Sequence, residues 1–259
     1  MTPTETYLSK ASVIIEAVAK QEAKIRTAAE WFAGTILASR MVHVFGSGHS
    51  RIMVEEMWPR YGSFPGFNPI VELSLTFHNG VVGANGQRQA MFLENVSGLA
   101  ERILRNFALS PTDTALIISS SGTNIVPVEM AEAFQRKNIK VVSIITKEHS
   151  MASESKRADG KKLTDFSDLV LDTGAPAGDA MVYITGLDTP VAPGSTVGGV
   201  LIVNCIKAEL ARILTYAGHP PKVLTASCLV GTEKATALFE SAYDEHAHRL
   251  AKLYEPVGK

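Results

Sequence analysis

The chain has 259 residues, 46% of them hydrophobic and 20% charged, with a formal net charge of −1. That length supports a well-buried core, as one large domain or one domain with extensions. The near-neutral balance excludes a protein built for non-specific binding to nucleic acid or to an anionic membrane, so any anion must be held by a local arrangement.

Thr6–Ser39 is rich in Ala, Glu, Lys and Ile, and its apolar residues recur at helical spacing, which predicts one long helix or two. Met41–Phe45 is a short apolar strand ending before Gly46, and Ser50–Trp58 is helical, limited by Pro59. Gly62–Pro69 is turn-rich, Ile70–Leu75 reads as strand two, and Thr76–Gln89 is irregular. A helix over Glu94–Phe107 and a strand over Thr114–Ser119 follow. Next come a helix over Ile125–Lys137, a strand over Lys140–Thr146, weak helix over His149–Arg157 and a strand over Leu169–Asp172. Gly174–Gly194 is loop, Thr196–Tyr216 is a long apolar helix, and the last helix spans about 231–254. The whole chain, 1–259, reads as one domain, with a helical extension over about 4–39 and that C-terminal helix. Strands alternating with helices predict an α/β fold with a parallel sheet covered on both faces and right-handed crossovers. The two cysteines, Cys205 and Cys228, lack a disulfide or zinc pattern and are expected to be reduced and buried. The opening decapeptide has no basic region followed by an apolar core, and no apolar run reaches membrane-spanning length; a cytoplasmic protein is expected.

Two loops share one chemistry. Gly46-Ser47-Gly48-His49-Ser50 and Ser119-Ser120-Ser121-Gly122-Thr123-Asn124 each follow an apolar strand and open a helix. Glycine allows positive φ and close approach of a ligand. The hydroxyls donate to an oxygen or cap the helix, and the first helical turn supplies N–H groups, so each loop suits an anion. A dinucleotide fingerprint would need a third glycine where Arg51 stands, although Glu72 could mimic its ribose-binding acid. No G-K-[ST] follows either loop, which excludes a phosphate-binding P-loop of that type. In a doubly wound sheet of order 2-1-3-4-5 both loops would meet at the switch point, where ligands bind.

The stretch Ile117–Thr146, "IISSSGTNIVPVEMAEAFQRKNIKVVSIIT", resembles the signature of the sugar isomerase (SIS) domain: an apolar strand, Ser-x-Ser-Gly-x-[Thr/Ser], a helix, a polar turn and a strand ending in Thr. Ser119, Ser121, Gly122 and Thr146 match, while Asn124 replaces the final hydroxyl residue. The "FGSGHS" loop, with Gly46, Gly48 and Ser50, is similar to the first loop of that family. With Gly174–Ala180, "GAPAGDA", the chain looks like the stand-alone bacterial members that carry GSGHS and GAPxGDA motifs. The resemblance implies a flavodoxin-like five-stranded parallel sheet, a homodimer or homotetramer, and a sugar phosphate as the small-molecule partner. It implies phosphate ligands at Ser47, Ser50, Ser119, Ser121 and Thr123. Family members isomerise aldoses and ketoses, cleave sugar ethers, or only sense phosphosugars.

Isomerisation through an enediol needs a general base beside the reacting carbons. Glu55 and Glu56 lie on the helix after loop one, and Glu56 is about 9 Å along the axis from Ser50, a sugar's length from a held phosphate. The two are about 100° apart, so one of them, with Glu56 favoured, is expected to face the crevice. His49 and His78 are the candidate histidines for the second proton transfer, because the long helix "STVGGVLIVNCIKAEL" lacks the histidine that some family isomerases use. His43 reads as a satisfied core residue. Arg51 and Lys207 are the cations expected nearest the site, with a carboxylate partner as the plainer role for Lys207. Asp179, Ser195 and Thr196 are candidate ligands from the far side, although capping the long helix is the plainer role for Ser195 or Thr196. The expected activity is aldose–ketose isomerisation of a sugar phosphate with no metal, nucleotide or other cofactor; a C–O lyase and a non-catalytic sensor are the alternatives.

Overall fold

Residues 1–76 and 86–255 are described by the computed structural model. Their centre is a parallel sheet in the order β2-β1-β3-β4-β5. Its strands are β1 (Val42–Gly46), β2 (Phe67–Ile70), β3 (Thr114–Ile118), β4 (Lys140–Ile145) and β5 (Leu169–Asp172). Val42 lies opposite Phe67 on one side and Thr114 on the other, so β1 and β3 finish level at Gly46 and Ile118, with β2 ending one residue earlier at Ile70. This is the doubly wound arrangement expected from the sequence.

The two faces of the sheet are sorted by the two-residue period of the strand. Val42, Val44, Leu116, Ile118, Val142 and Ile144 point to a core shared with α2 (Glu22–Leu37), α3 (Arg51–Met57) and α8 (Ser195–Tyr216). Phe45, Ala115, Ile117, Val141 and Ile145 point to a second core with α5 (Leu99–Leu104) and α6 (Ile125–Gln135). Strands buried on both faces read as near-continuous apolar runs, as Ala115–Ile118 of β3 does, and as β4 does but for Lys140 at its start and the buried Ser143.

The N-terminal segment forms two helices. The first, α1 (Pro3–Ala19), starts in a capping box: Glu5 N–H donates to Thr2 Oγ1 (3.2 Å) and Thr2 N–H donates to Glu5 Oε2 (2.7 Å). The break before α2 places Gln21 against the outer edge of β5, where its amide accepts Asp172 N–H (2.8 Å) and donates to Asp172 O (2.7 Å).

Four expectations are corrected. Strand two is Phe67–Ile70 and not Ile70–Leu75; its Pro69 is tolerated because β2 is an edge strand paired only with β1. The helix expected over Glu94–Phe107 is only α5, starting after Gly98 at φ 84°, and a separate helix, α4 (Arg88–Leu93), precedes it, beginning in the segment read as irregular. The loop expected over Gly174–Gly194 contains an antiparallel pair, β6 (Ala180–Val182) and β7 (Val191–Pro193). Cys205 and Cys228 are free but exposed, because both lie on helical faces turned away from the sheet. The remaining helices are α7 (Lys147–Ala152), α9 (Ser227–Val230) and α10 (Thr232–Leu253). Among the described residues no helix is long and apolar enough to cross a membrane.

His43 is a core residue, as its place in β1 suggested. It is fully buried, and Asn68 Nδ2 lies 3.0 Å from its Nδ1 while Asp113 Oδ2 lies 3.1 Å from its Nε2. With an amide donor at Nδ1, the ring donates from Nε2 to the carboxylate. Arg40 completes the network with Nε 2.7 Å from Asp113 Oδ1. Burial pushes the Asp113 carboxyl up, but hydrogen bonds from His43 and Arg40 outweigh it and hold the group below its ordinary value.

Candidate functional site

Loop one begins where β1 ends. A Cβ on Gly46 would stand 2.7 Å from Ser50 O, so only glycine lets the 3₁₀ turn Gly48–Ser50 fold back on the strand. Gly48 follows with φ +55°, and Ser50 N–H donates to Ser47 O (3.1 Å). Loop two leaves β3 beside it. There Gly122 N–H donates to Ser119 Oγ (3.2 Å), and Thr123 Oγ1 donates to Ser121 Oγ (2.9 Å). A row of hydroxyls continues along the carboxyl ends of the strands: Ser120 Oγ to Thr146 Oγ1 (3.2 Å), then Thr146 Oγ1 to Thr173 Oγ1 (2.7 Å).

The loops open on a cavity of about 550 Å³, within the range of small-molecule sites. Ser47, Gly48, His49 and Ser50 line one side, and Ser119, Ser120, Ser121 and Asn124 the floor. Asp179, Ser195 and Thr196 close the far side at the start of α8. Asp179 caps that helix: Oδ1 accepts Gly194 N–H (3.0 Å) and Ser195 N–H (2.6 Å), and Oδ2 accepts Ser195 Oγ–H (2.8 Å). The cap is therefore Asp179, with Ser195 as its donor. A Cβ on Gly198 would stand 2.0 Å from Thr173 O, so α8 reaches this wall only because glycine packs on the end of β5. Gly198→Ala is expected to cost about 1–3 kcal/mol through overpacking, read by urea unfolding; unchanged stability would show that α8 moves freely at this point.

The carboxylate at the heart of the cavity is Glu94, the residue closing α4. Ser47 Oγ donates to its Oε2 (2.7 Å) and Asn124 Nδ2 to its Oε1 (2.7 Å), so one side chain bridges the two loops. Its main chain is tied as well, accepting Val126 N–H (2.9 Å) at the start of α6. Burial pushes the Glu94 carboxyl up from its ordinary value, against the Ser47 hydrogen bond and the charge of Lys156. His149, on α7, contributes to the opposite wall, and its buried Nδ1 has no hydrogen-bond partner among the described residues. Among the described lining residues there are two carboxylates and no lysine or arginine. An anion here would be held by hydroxyl and N–H donors and by the amino end of α6.

The other residues singled out from the sequence lie elsewhere. Gly46, Gly122 and Thr123 shape the loops from behind the cavity surface. Neither Glu55 nor Glu56 lines the cavity, which corrects the expectation that one would face it. The short helix α3 buries Met53, Val54 and Met57, and this leaves Glu56 beside α8 and Glu55 toward solvent. Glu56 accepts from Asn204 Nδ2 (2.9 Å) and pairs with Arg60. Partial burial pushes its carboxyl up, but Asn204 and Arg60 outweigh that and hold it below its ordinary value. Arg51 Nη1 pairs with Glu55 Oε1 (2.9 Å) along α3. Among the described residues Lys207 pairs with no side-chain carboxylate; it donates to Glu56 O (2.7 Å) and Ser63 Oγ (3.1 Å) beyond the middle of α3. His78 lies outside the described residues. Glu94 and His149 were missed, because neither sits in a glycine-serine loop; the one signal for Glu94 was an acid close after the irregular segment.

A parallel α/β sheet with paired glycine-serine loops at its switch point defines a class of fold in which ligands bind at the carboxyl ends of the strands. The SIS domain model matches residues 6–146, and the chain belongs to that family. It is 31% identical over 227 residues to a UPF0309 protein of Brucella canis, covering 87% of this chain and 90% of the relative. It is 29% identical over 248 residues to a UPF0309 protein of Listeria monocytogenes serotype 4b, covering 95% and 97%. Among solved structures, a phosphoheptose isomerase from Francisella tularensis shares the fold, with a TM-score of 0.50 at 14% identity over 81% of this chain and 96% of that one.

Proposed function

We propose that the cavity binds an anionic open-chain sugar, a sugar phosphate above all, and that the chain interconverts its aldose and ketose forms through an enediol. One observation carries the reading: a half-buried carboxylate, Glu94, stands in the cavity against both anion-suited loops with its pKa raised. A raised pKa brings a carboxylate closer to the strength useful to a general base near neutral pH. The phosphate lies against Ser119, Ser121 and the amino end of α6, with Ser50 from loop one. The reacting carbons lie between Glu94 and His149. Glu94 takes the proton from the carbon next to the carbonyl. The released electron pair forms the enediol double bond, and the carbonyl oxygen takes a proton from His149. In the second half the neighbouring hydroxyl returns a proton to His149, and Glu94 delivers its proton to the former carbonyl carbon. Atoms and charge balance without a cofactor. The unpartnered Nδ1 of His149 supports its part, since a buried polar atom is costly unless a ligand or water completes it.

The family's phosphosugar chemistry and the isomerase of the same fold agree with this reading. The test is incubation with a panel of sugar phosphates in D2O, followed by NMR. Deuterium at the carbon next to the carbonyl, with ketose formation, is the expected result. Elimination products would replace the isomerase with a C–O lyase, and binding with no exchange would leave a sensor. Self-association belongs to the same reading: Leu8 and Ile15, seven residues apart on α1, are 60% and 52% exposed, as a buried subunit face would be in the monomer.

A further inference from the structure

A second cleft of about 600 Å³ opens beside the outer edge of β5, behind α7. Four lysines converge on it from separate places in the chain: Lys20 at the break between α1 and α2, Lys24 on α2, Lys147 on α7 and Lys162 before β5. Among the described residues Asp172 is the one carboxylate in its lining, and its Oδ1 is engaged by Lys147 N–H (2.9 Å) and Gly174 N–H (3.1 Å). Two of the ammonium groups are committed: Lys162 Nζ donates to Ser150 O and Ser153 O (both 2.7 Å), and Lys24 Nζ to Val170 O (3.3 Å). Lys20 and Lys147 hold no side-chain partner among the described residues. The floor is apolar, with Ala17, Ile145 and Val170.

In a chain of net charge −1, a local excess of three positive charges around one concavity makes a positive field that favours an anion there. The occupant is not an added β-strand. The outer edge of β5 is already closed, because Gln21 takes both main-chain groups of Asp172 and Lys24 takes Val170 O. Size, charge and a closed edge point to one class of ligand. We propose that this cleft is a second binding site, separate from the glycine-serine cavity, for a small organic polyanion carrying at least two phosphate groups. Lys20 and Lys147 are its free cationic arms, Lys24 and Lys162 add field from fixed positions, and the apolar floor takes the ligand's body.

The probe is inorganic pyrophosphate, titrated calorimetrically into the full chain at 0.15 M NaCl, where loose surface attraction is largely screened. A saturable event with one site per chain is expected, with orthophosphate weaker. The event survives Ser121→Ala, which alters the other cavity. It weakens roughly fivefold or more in both Lys20→Gln and Lys147→Gln, each an exposed position whose replacement leaves the melting temperature unchanged. Binding that vanishes at this salt, or that neither lysine variant weakens, means an adventitious ion only and overturns the proposal. Binding lost in Ser121→Ala alone places pyrophosphate in the first cavity and overturns it equally. Because neither lysine touches Glu94 or the loops, failure here leaves the isomerase reading standing, and the converse holds.

Discussion

Glu94→Gln is expected to abolish solvent-deuterium incorporation, lowering turnover by about 10²–10⁴-fold, the usual contribution of a positioned general base, while the protein melts higher than wild type at pH 7.5. Both effects have one cause. The folded protein holds the Glu94 carboxylate partly desolvated in the cavity, which disfavours its charge, so ionisation costs stability at any pH above the raised folded-state value. Glutamine removes the charge and keeps the shape. Ser47 still has an oxygen to donate to, and Asn124 satisfies the new amide by turning its own carbonyl toward it. A gain of ~1 kcal/mol would raise the melting temperature by about 2–4 °C in a protein of this size. The gain should shrink as pH falls through the raised folded-state pKa, because wild-type Glu94 is then neutral as well. Full turnover in Glu94→Gln would remove Glu94 as the base. Glu56→Gln is the matching control: it is expected to retain turnover, because Glu56 is committed to Arg60 and Asn204 outside the cavity.

The largest expected loss of stability lies at the other end of the sheet. Asp113→Ala strands Arg40, His43 and the Ser110 N–H (2.8 Å from Oδ2) in one step, and removing one partner of a buried charged network costs about 3–5 kcal/mol. The measurement is urea unfolding at pH 7. A loss below about 1 kcal/mol would mean that water replaces the carboxylate, as in an exposed pair. The pH dependence has a definite sign. The folded-state pKa of Asp113 is lowered, so its contribution is complete above the unfolded carboxylate value and disappears as pH falls through the folded one. Wild type should therefore lose its margin over Asp113→Ala only below about pH 4. This network sits at the amino ends of β1 and β3, opposite the cavity, so folded variant protein should keep its ligand affinity.

Most strands of the sheet were legible because apolar runs bounded by glycine and polar turns leave little freedom. Lys140–Ile145 and Leu169–Asp172 are strands at or within one residue of where their patterns end. Strand two was displaced because Pro69 argues against a strand in general and is acceptable only at an edge, and the edge is a property of the assembled sheet. The loops were legible for a local reason as well: glycine and serine at the end of a strand have few other uses. Glu94 and His149 were not, because their place in the cavity depends on how α4 docks on α6 and α7 on β4. Glu56 lay at the right distance along its helix but on the wrong side of it. A rise per residue gives a distance; burial of Met53, Val54 and Met57 decides the direction.

By itself the sequence determined the α/β class, the two glycine-serine loops and their suitability for an anion, since each follows from short-range pattern and backbone freedom, whereas the strand order came only with the family resemblance. Tertiary structure alone decided which carboxylate stands in the cavity, that Asp179 caps α8, and that four lysines distant in sequence share one cleft. The difference is physical. Backbone conformation is set mainly by neighbours in the chain, whereas desolvation and charge depend on what packs against a side chain from elsewhere.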